Sequence, residues 1–481
     1  MKKIISALLT ATLLLSVTAS APLTASAKTA SVVESGAVSS YTDEYGTWNC
    51  KLTNDGTGYI ITGYDKSKTE IVIPSTIAGR PVLEIGDYAF SSYRWITDVT
   101  IPEGITHIGK NAFERCESLS KVTLSDTVTH IGVEAFFSCY SLTGITIPAS
   151  VISIGKYAFF CNAMTSIDVS PDNTEYSSID GVLFDKEQTT LIRYPEKRPS
   201  DNYIIPDGVT TIATFSFACC DSVKTVTFPE SLTTIEQLAF TYCTGLTHLT
   251  IPDSVTHIDY AAFDTCVNLT EITLPKKLTT IKPNTFFYCP FSSITIPDSV
   301  TTIEDQAFYY CINLTHITIP GSVTHFGKYA FIGCFELNTI TISNGVTHIG
   351  ESAFFDCKKL TSITIPNSVT SIKEYAFGNY SSLTDIYYTG SESDWNSILI
   401  ESGNESLANA TIHYNYVPPV EPLAGDVSGD GEIAVDDVIY TLRYNVGDIE
   451  LTESQLTNAD VNRDGNVTVL DAVLIQKIIL G

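Results

Sequence analysis

Two 12-residue stretches near the C-terminus, DVSGDGEIAVDD (Asp426 to Asp437) and DVNRDGNVTVLD (Asp460 to Asp471), carry oxygen side chains at their first, third, fifth and twelfth positions and glycine at the sixth. That spacing suits Ca²⁺, a hard cation that takes six to eight oxygens around a turn tight enough to favour glycine. In the first loop Asp426, Ser428, Asp430 and Asp437 would ligate, together with the Glu432 carbonyl. In the second, Asp460, Asn462, Asp464 and Asp471 would do so, together with the Asn466 carbonyl. Two calcium ions are therefore expected. Residues 425–481 hold 11 acidic against 3 basic residues, a net of −8, as a cation-binding segment should.

A second group of chemistry-bearing residues is the pairing of histidine and cysteine in VTHIGESAFFDC (346–357), repeated as ITHIGKNAFERC (105–116) and VTHIGVEAFFSC (128–139). The place of His348 is taken by Ser153, Thr211, Thr234, Thr280, Thr302 or Ser371 in neighbouring copies, an exchange that a metal ligand would not survive. The histidines read as a solvent-facing row, with His107 beside His130 and His325 beside His348. The cysteines recur once per copy, at Cys116, Cys139 and Cys161 and again from Cys220 to Cys357. Runs of three and seven are both odd, and side chains stacked at ~4.8 Å sit too far apart for the ~3.8 Å Cβ separation of a disulfide. They are expected to be free, buried thiols that pack as small hydrophobes.

These copies belong to a repeat of 22 or 23 residues with consensus L-T-x-I-T-I-P-x-S-V-T-x-I-G-x-x-A-F-x-x-C. The period is that of a leucine-rich repeat, in which one coil cannot bury its apolar side alone and stacking supplies the core. The alternating ITI is a short strand with its isoleucines inward, ended by proline, and A-F-x-x-C closes the coil on the far side. About fourteen coils between Ile71 and Tyr388 would give a mainly β solenoid on the order of 60 to 70 Å long.

Three segments break the period. Residues 41–70 read as a hairpin cap around NDGTG, and 389–414 as a closing helix and strand. Residues 167–203 read as an irregular insertion in which two strands flank a turn at Asp185 to Gln188. Its Asp168, Asp172, Glu175, Asp180, Asp185 and Glu187 are the one place where paired carboxylates could serve a hydrolase, and no G-x-S-x-G, H-E-x-x-H or P-loop occurs in the chain. Outward on the strands runs a threonine row from Thr227 to Thr364; on the opposite side Phe287, Tyr288, Tyr309 and Tyr310 could stack on sugars or a protein. A Pro-rich linker, 415–424, precedes the calcium-loop segment.

At the other end, MKK, an apolar run from Ile4 to Val17 and small residues ending in ASA have the pattern of a secretory signal peptide over residues 1–27, followed by a spacer, 28–40. No later run approaches the ~18 apolar residues of a membrane span. With 54 acidic against 27 basic residues, a formal charge of −27, the surface repels nucleic acid and anionic lipid.

The repeat consensus, with V-T-x-I-G-x-x-A-F and the inserted D-G-V-L-F, resembles the BspA-like leucine-rich repeats of secreted bacterial proteins over residues 41–414. The duplicated loops, each ending in Asp where an ordinary EF-hand has Glu, each followed by a helix and none preceded by one, resemble a type I dockerin over 425–481. That resemblance implies a calcium-dependent partner, the cohesin module of a scaffoldin, contacted through Val435, Asp436, Leu442, Arg443, Val469, Leu470, Gln476 and Lys477. It also implies a secreted subunit of a cellulosome, held at the cell surface through the scaffoldin, that serves polysaccharide degradation without catalysing it. The solenoid would present a protein- or carbohydrate-binding surface. The alternatives are a dockerin-borne hydrolase acting on O-glycosyl bonds, and an adhesin for host or neighbouring cells.

Overall fold

In this computed structural model the described residues are 29–33, 37–65, 68–378, 382–418, 424–428, 432–462 and 465–480. The described residues between 37 and 414 form a mainly β solenoid that, with its caps, makes about 15 turns. Most regular coils contribute two short strands, which run parallel to their equivalents in a neighbouring coil, while the coil of Ile294 and Ile296 contributes only Thr302–Ile303. One ladder joins Asp98–Thr100 to Lys121–Thr123 and, further on, His316–Ile319 to Thr339–Ile342 and Ser362–Ile365. The other joins His107–Ile108, His130–Ile131 and Ser153–Ile154, with every isoleucine in register. Glycine in V-T-x-I-G has a steric reason here: a Cβ on Gly109 or Gly132 would come within 2.6 Å of the preceding coil's backbone.

The far side of the coil is a string of turns in which alternate N–H groups bond to the next coil, as Asn111 to the Val133 carbonyl and Phe113 to that of Ala135. Two residues per coil adopt a left-handed conformation there, for example Asn111 (φ 53°) and Arg115 (φ 56°), or Gln306 (φ 58°) and Tyr310 (φ 55°). The inward Phe and Cys of A-F-x-x-C build the core. Phe90, Phe113, Phe136 and Phe159 stack at 4.9, 5.3 and 6.0 Å between ring centres. All twelve cysteines are free, and those of the ladder are buried, most thiols donating to a carbonyl of the preceding coil, such as Cys139 to Phe113 at 3.2 Å.

The caps and the insertion hold more strands than their sequences suggest. At the N-terminal end, Ala37–Thr42, Thr47–Leu52 and Tyr59–Tyr64 form an antiparallel meander, and Thr29–Val33 pairs with Ala37–Thr42, so residues read as a spacer are strand. At the other end, α1 (Glu392–Trp395) and α2 (Glu405–Asn409) alternate with strands Leu399–Ile400 and Thr411–His413, which extend the two ladders in parallel. In the insertion, Val182–Asp185 and Thr190–Arg193 flank the expected turn at Asp185. A third strand, Tyr176–Ile179, precedes them across a turn at Asp180 and Gly181, both left-handed (φ 48° and 76°). The D-G pair was the signal for that hairpin.

The insertion also divides the core. One cluster runs from Val38 to Leu183 and a second from Val182 to Leu407. The phenylalanine stack stops at Phe159 and resumes with Tyr194 on Phe217, at 4.8 Å. Between the halves lies a buried ion pair, Arg193 with Glu196. Glu196 accepts the N–H groups of Cys161 (3.3 Å) and Asn162 (3.2 Å), while Arg193 donates to the Phe215 carbonyl. The pair thus takes over hydrogen bonds that a regular coil would make with its backbone, the compensation that allows two charges to be buried.

The C-terminal segment forms α3 (Val435–Asn445), α4 (Glu453–Ala459) and α5 (Val469–Leu480), packed around Val427, Ala459 and Ile475. A helix does enter the second loop, contrary to expectation: α4 ends directly before Asp460 and starts on a capping box from Thr452 to Gln455. T-E-S-Q was the missed signal.

Candidate calcium loops and partner face

The twelfth residue organises each loop. Asp437 is fully buried, and its two oxygens accept the N–H of Ser428, the loop's third residue, at 2.7 Å and that of Ala434, the N-cap of α3, also at 2.7 Å. Asp471 repeats the arrangement: it is fully buried and accepts from Asn462 N–H at 3.3 Å and Thr468 N–H at 2.8 Å. One carboxylate therefore closes the loop and starts the helix, and the shorter Asp in place of Glu suits a residue held to both. At the first positions, Asp426 is buried and receives the Ser428 hydroxyl at 3.3 Å, while Asp460 receives the Gly465 N–H at 2.9 Å. The loops are stitched together from α4: the Asn458 amide donates to the Asp426 carbonyl at 2.6 Å, and that of Gln455 to the Val427 carbonyl at 2.9 Å.

This donor set fits calcium. Among the described residues no Lys or Arg lies within ion-pair distance of the fully buried Asp437 or Asp471. Buried carboxylate charge without a cation is costly, and a divalent ion held by oxygens supplies what the side chains lack. Asp430 and Asp464, the fifth-position ligands, lie outside the described residues. Among those described, no three His, Cys, Asp or Glu groups already converge.

Next to each loop a helix opens with exposed apolar residues. Val435 is 65% exposed, and Val469 and Leu470 are 56% exposed each. Leu442, Arg443, Gln476 and Lys477 are exposed further along, and Asp436 is half-buried. Arg443 is paired with Asp448 at 2.7 Å. Sequence reasoning missed Ile439 and Tyr440 on α3, Val446 at its C-cap, and Val473 and Ile478 on α5, all exposed; i+4 spacing from Val435 and Val469 would have found Ile439 and Val473.

The other candidates are accounted for by the fold. His107 and His130 stack in register, ring centres 4.3 Å apart, with their Nδ1 atoms against Thr106 and Thr129 hydroxyls. His325 and His348 meet edge-on at 6.5 Å. Phe287 stacks on Tyr309 at 4.6 Å, and Tyr288 lies 5.1 Å from Tyr310, so these rings are largely engaged with one another. The acids of the insertion are spread over exposed surface, and Asp185 binds its own turn through Thr189 and Thr190.

The comparisons agree with the geometry. The BspA type leucine rich repeat region matches in six copies over residues 83–199, 196–315 and 279–402, and the dockerin type I domain matches residues 424–480. The chain belongs to the BspA-type leucine-rich-repeat family. Among solved structures it is similar to a leucine-rich cell surface protein of Faecalibacterium prausnitzii, with 32% identity over 76% of this chain and 98% of that one and a TM-score of 0.47. It is also similar to a leucine-rich repeat protein of Bacteroides ovatus (23% identity, 76% and 98% covered, TM-score 0.49) and to the pneumococcal vaccine antigen PcpA (20%, 79% and 99%, 0.43). No curated protein matches. A type I dockerin implies a cohesin-type protein partner and is a kind of domain that binds calcium; the solenoid suggests a surface for protein binding. The two together suggest an extracellular protein. No helix among the described residues is long and apolar enough to cross a membrane.

Proposed function

We propose that the chain is a non-catalytic subunit of a secreted, polysaccharide-degrading complex, docked through residues 425–481 onto a scaffoldin cohesin and presenting the solenoid, 41–414, as its recognition surface. Residues 1–27, outside the described residues, serve as the export leader, and 415–424 as the linker. Two calcium ions bind, one to Asp426, Ser428, Asp430, Asp437 and the Glu432 carbonyl, the other to Asp460, Asn462, Asp464, Asp471 and the Asn466 carbonyl. When bound, each ion neutralises its carboxylates and fixes the loop. Asp437 and Asp471 transmit that order to α3 and α5, so the apolar residues at the helix starts are held in one geometry. The cohesin contacts are Val435, Asp436, Leu442 and Arg443 on α3, and Val469, Leu470, Gln476 and Lys477 on α5.

The observation that carries this reading is the duplication of one device: a buried twelfth-position aspartate bonded to its loop and its helix, beside exposed apolar residues. Titration calorimetry of the mature chain against a panel of cohesins, with calcium and with EDTA, tests it. Tight binding to at least one cohesin that disappears in EDTA is expected. Binding that survives EDTA, or none to any cohesin, overturns it.

A further inference from the structure

The break between Phe159 and Tyr194 leaves a cleft of about 190 Å³ whose walls come from the two halves of the solenoid. Its lining includes Tyr157, Phe159, Phe160, Arg193, Ala213 and Phe215, and Phe215 meets Tyr157 and Phe160 edge-on at 4.8 and 5.9 Å between ring centres. It is smaller than the roughly 300 Å³ at which pockets begin to enclose a whole small molecule, so it accommodates a side chain.

Its backbone is also incomplete. In most regular coils the isoleucine carbonyl accepts the N–H of the next coil, as Ile108 from Gly132 and Ile131 from Gly155, each at 2.8 Å, the Ile258 and Phe326 carbonyls being exceptions where the ladder is interrupted. Ile154 has its N–H taken by the Tyr176 hydroxyl at 3.0 Å, but its carbonyl accepts nothing among the described residues. On the turn side, Glu134 and Phe136 donate to Lys156 and Ala158 at 2.9 Å, whereas the equivalent N–H groups of Tyr157 and Phe159 find no acceptor among the described residues. Arg193 is 7% exposed, and its Nε lacks a hydrogen-bond partner. At the mouth, Lys156 is exposed and has no ion pair among the described residues, while Glu236, opposite, is occupied by the N–H and hydroxyl of Thr214 at 2.8 and 2.7 Å.

We infer that this cleft binds an extended peptide segment of a partner protein, seating one large apolar side chain against its aromatic lining, with a carboxylate one or two residues away facing Lys156. Peptide backbone offers donors and acceptors together at strand spacing, which is what the Ile154 carbonyl and the Tyr157 and Phe159 N–H groups require, and strand addition of this kind gains affinity from the main chain and specificity from the pocket. The unopposed cation at the mouth, in a chain of formal charge −27, selects the acidic neighbour. This inference rests on the reading of the solenoid as a recognition surface and is independent of the docking module.

The test is selection of a displayed random peptide library on the mature, calcium-loaded chain, followed by affinity measurement of the enriched peptides on two variants. Ala213→Phe fills the cleft, and Lys156→Glu reverses the charge at an exposed position that leaves folding undisturbed. Enrichment of a bulky apolar residue with Asp or Glu within two positions is expected, with at least tenfold weaker binding to each variant. Failure to enrich such peptides, or equal binding to wild type and Lys156→Glu, overturns the inference. So does an oligosaccharide array on which sugars, in place of peptides, show the same sensitivity. Cohesin affinity measured on the same variants is expected to stay unchanged, which separates failure of this inference from failure of the docking assignment.

Discussion

At the scale of single residues, the twelfth-position aspartates and the cysteines define opposite uses of burial. Asp437 is buried charge with a task, since it holds Ser428 and the start of α3 at once. Asp437→Asn keeps an acceptor but removes the charge, so calcium bound per chain, read by calorimetry, is expected to fall from two to one. Retention of two ions would remove Asp437 from the ligand set. The cysteines are buried without a task beyond packing. Burial pushes the Cys116 thiol up to about 12 and Cys139, Cys220 and Cys266 well above the ordinary thiol range. Thiolate is therefore scarce at neutral pH, and thiol reagents should find almost none of the twelve cysteines in the native chain and nearly all after denaturation without reductant. Bridges between adjacent coils, such as Cys243 to Cys266, would show instead as missing thiols. Both sets were legible in the sequence because ligand spacing and repeat period are local signals. The Arg193–Glu196 pair was not, because nothing in LIRYPEK distinguishes a buried ion pair from a solvated loop.

Secondary-structure elements were legible where periodicity governs them and hidden where tertiary packing does. The ITI strands follow from alternation. The left-handed turn residues do not, for Arg115, Tyr242 and Tyr310 occupy positions where glycine is expected, and the neighbouring coil's hydrogen bonds hold them there. The helix faces of the docking module show the same division. Val469 and Leu470 are both exposed at the start of α5, whereas the equivalent pair on α3 is Val435 with the half-buried Asp436. The α5 face is the more apolar, so replacing Val469 and Leu470 with Asp should weaken cohesin binding by at least ~2 kcal/mol, the cost of losing buried anchors and leaving charge unpaired. Because neither side chain is buried in the module itself, calcium affinity and melting temperature should barely move. An equal loss from Val435→Asp alone would instead assign the dominant face to α3.

For the whole molecule, the consequence of a split core is a split in cooperativity. Each coil touches its neighbours alone, so stability propagates along the stack through nearest-neighbour contacts and is weakest where those contacts are interrupted. That place is the insertion, where the ring stack passes from Phe159 to Tyr194 without contact and the strand Val182–Asp185 places Leu183 in one core and Val182 and Phe184 in the other. Phe113 and Phe331 are fully buried at matched positions on either side. Replacement of a buried phenylalanine by alanine costs about 3 to 5 kcal/mol, enough to move a transition by several degrees. Phe113→Ala should therefore lower the unfolding of residues 37–183 and leave the downstream half nearly unchanged, with Phe331→Ala doing the reverse, as read by hydrogen exchange resolved along the chain during a thermal ramp. Glu196→Gln, which leaves Arg193 buried with a weaker partner and loosens the join, should move the two halves further apart in temperature. If either phenylalanine variant lowers protection equally on both sides of the insertion, the solenoid unfolds as one unit, and the contacts across the seam are stronger than its broken ring stack and missing hydrogen bonds imply.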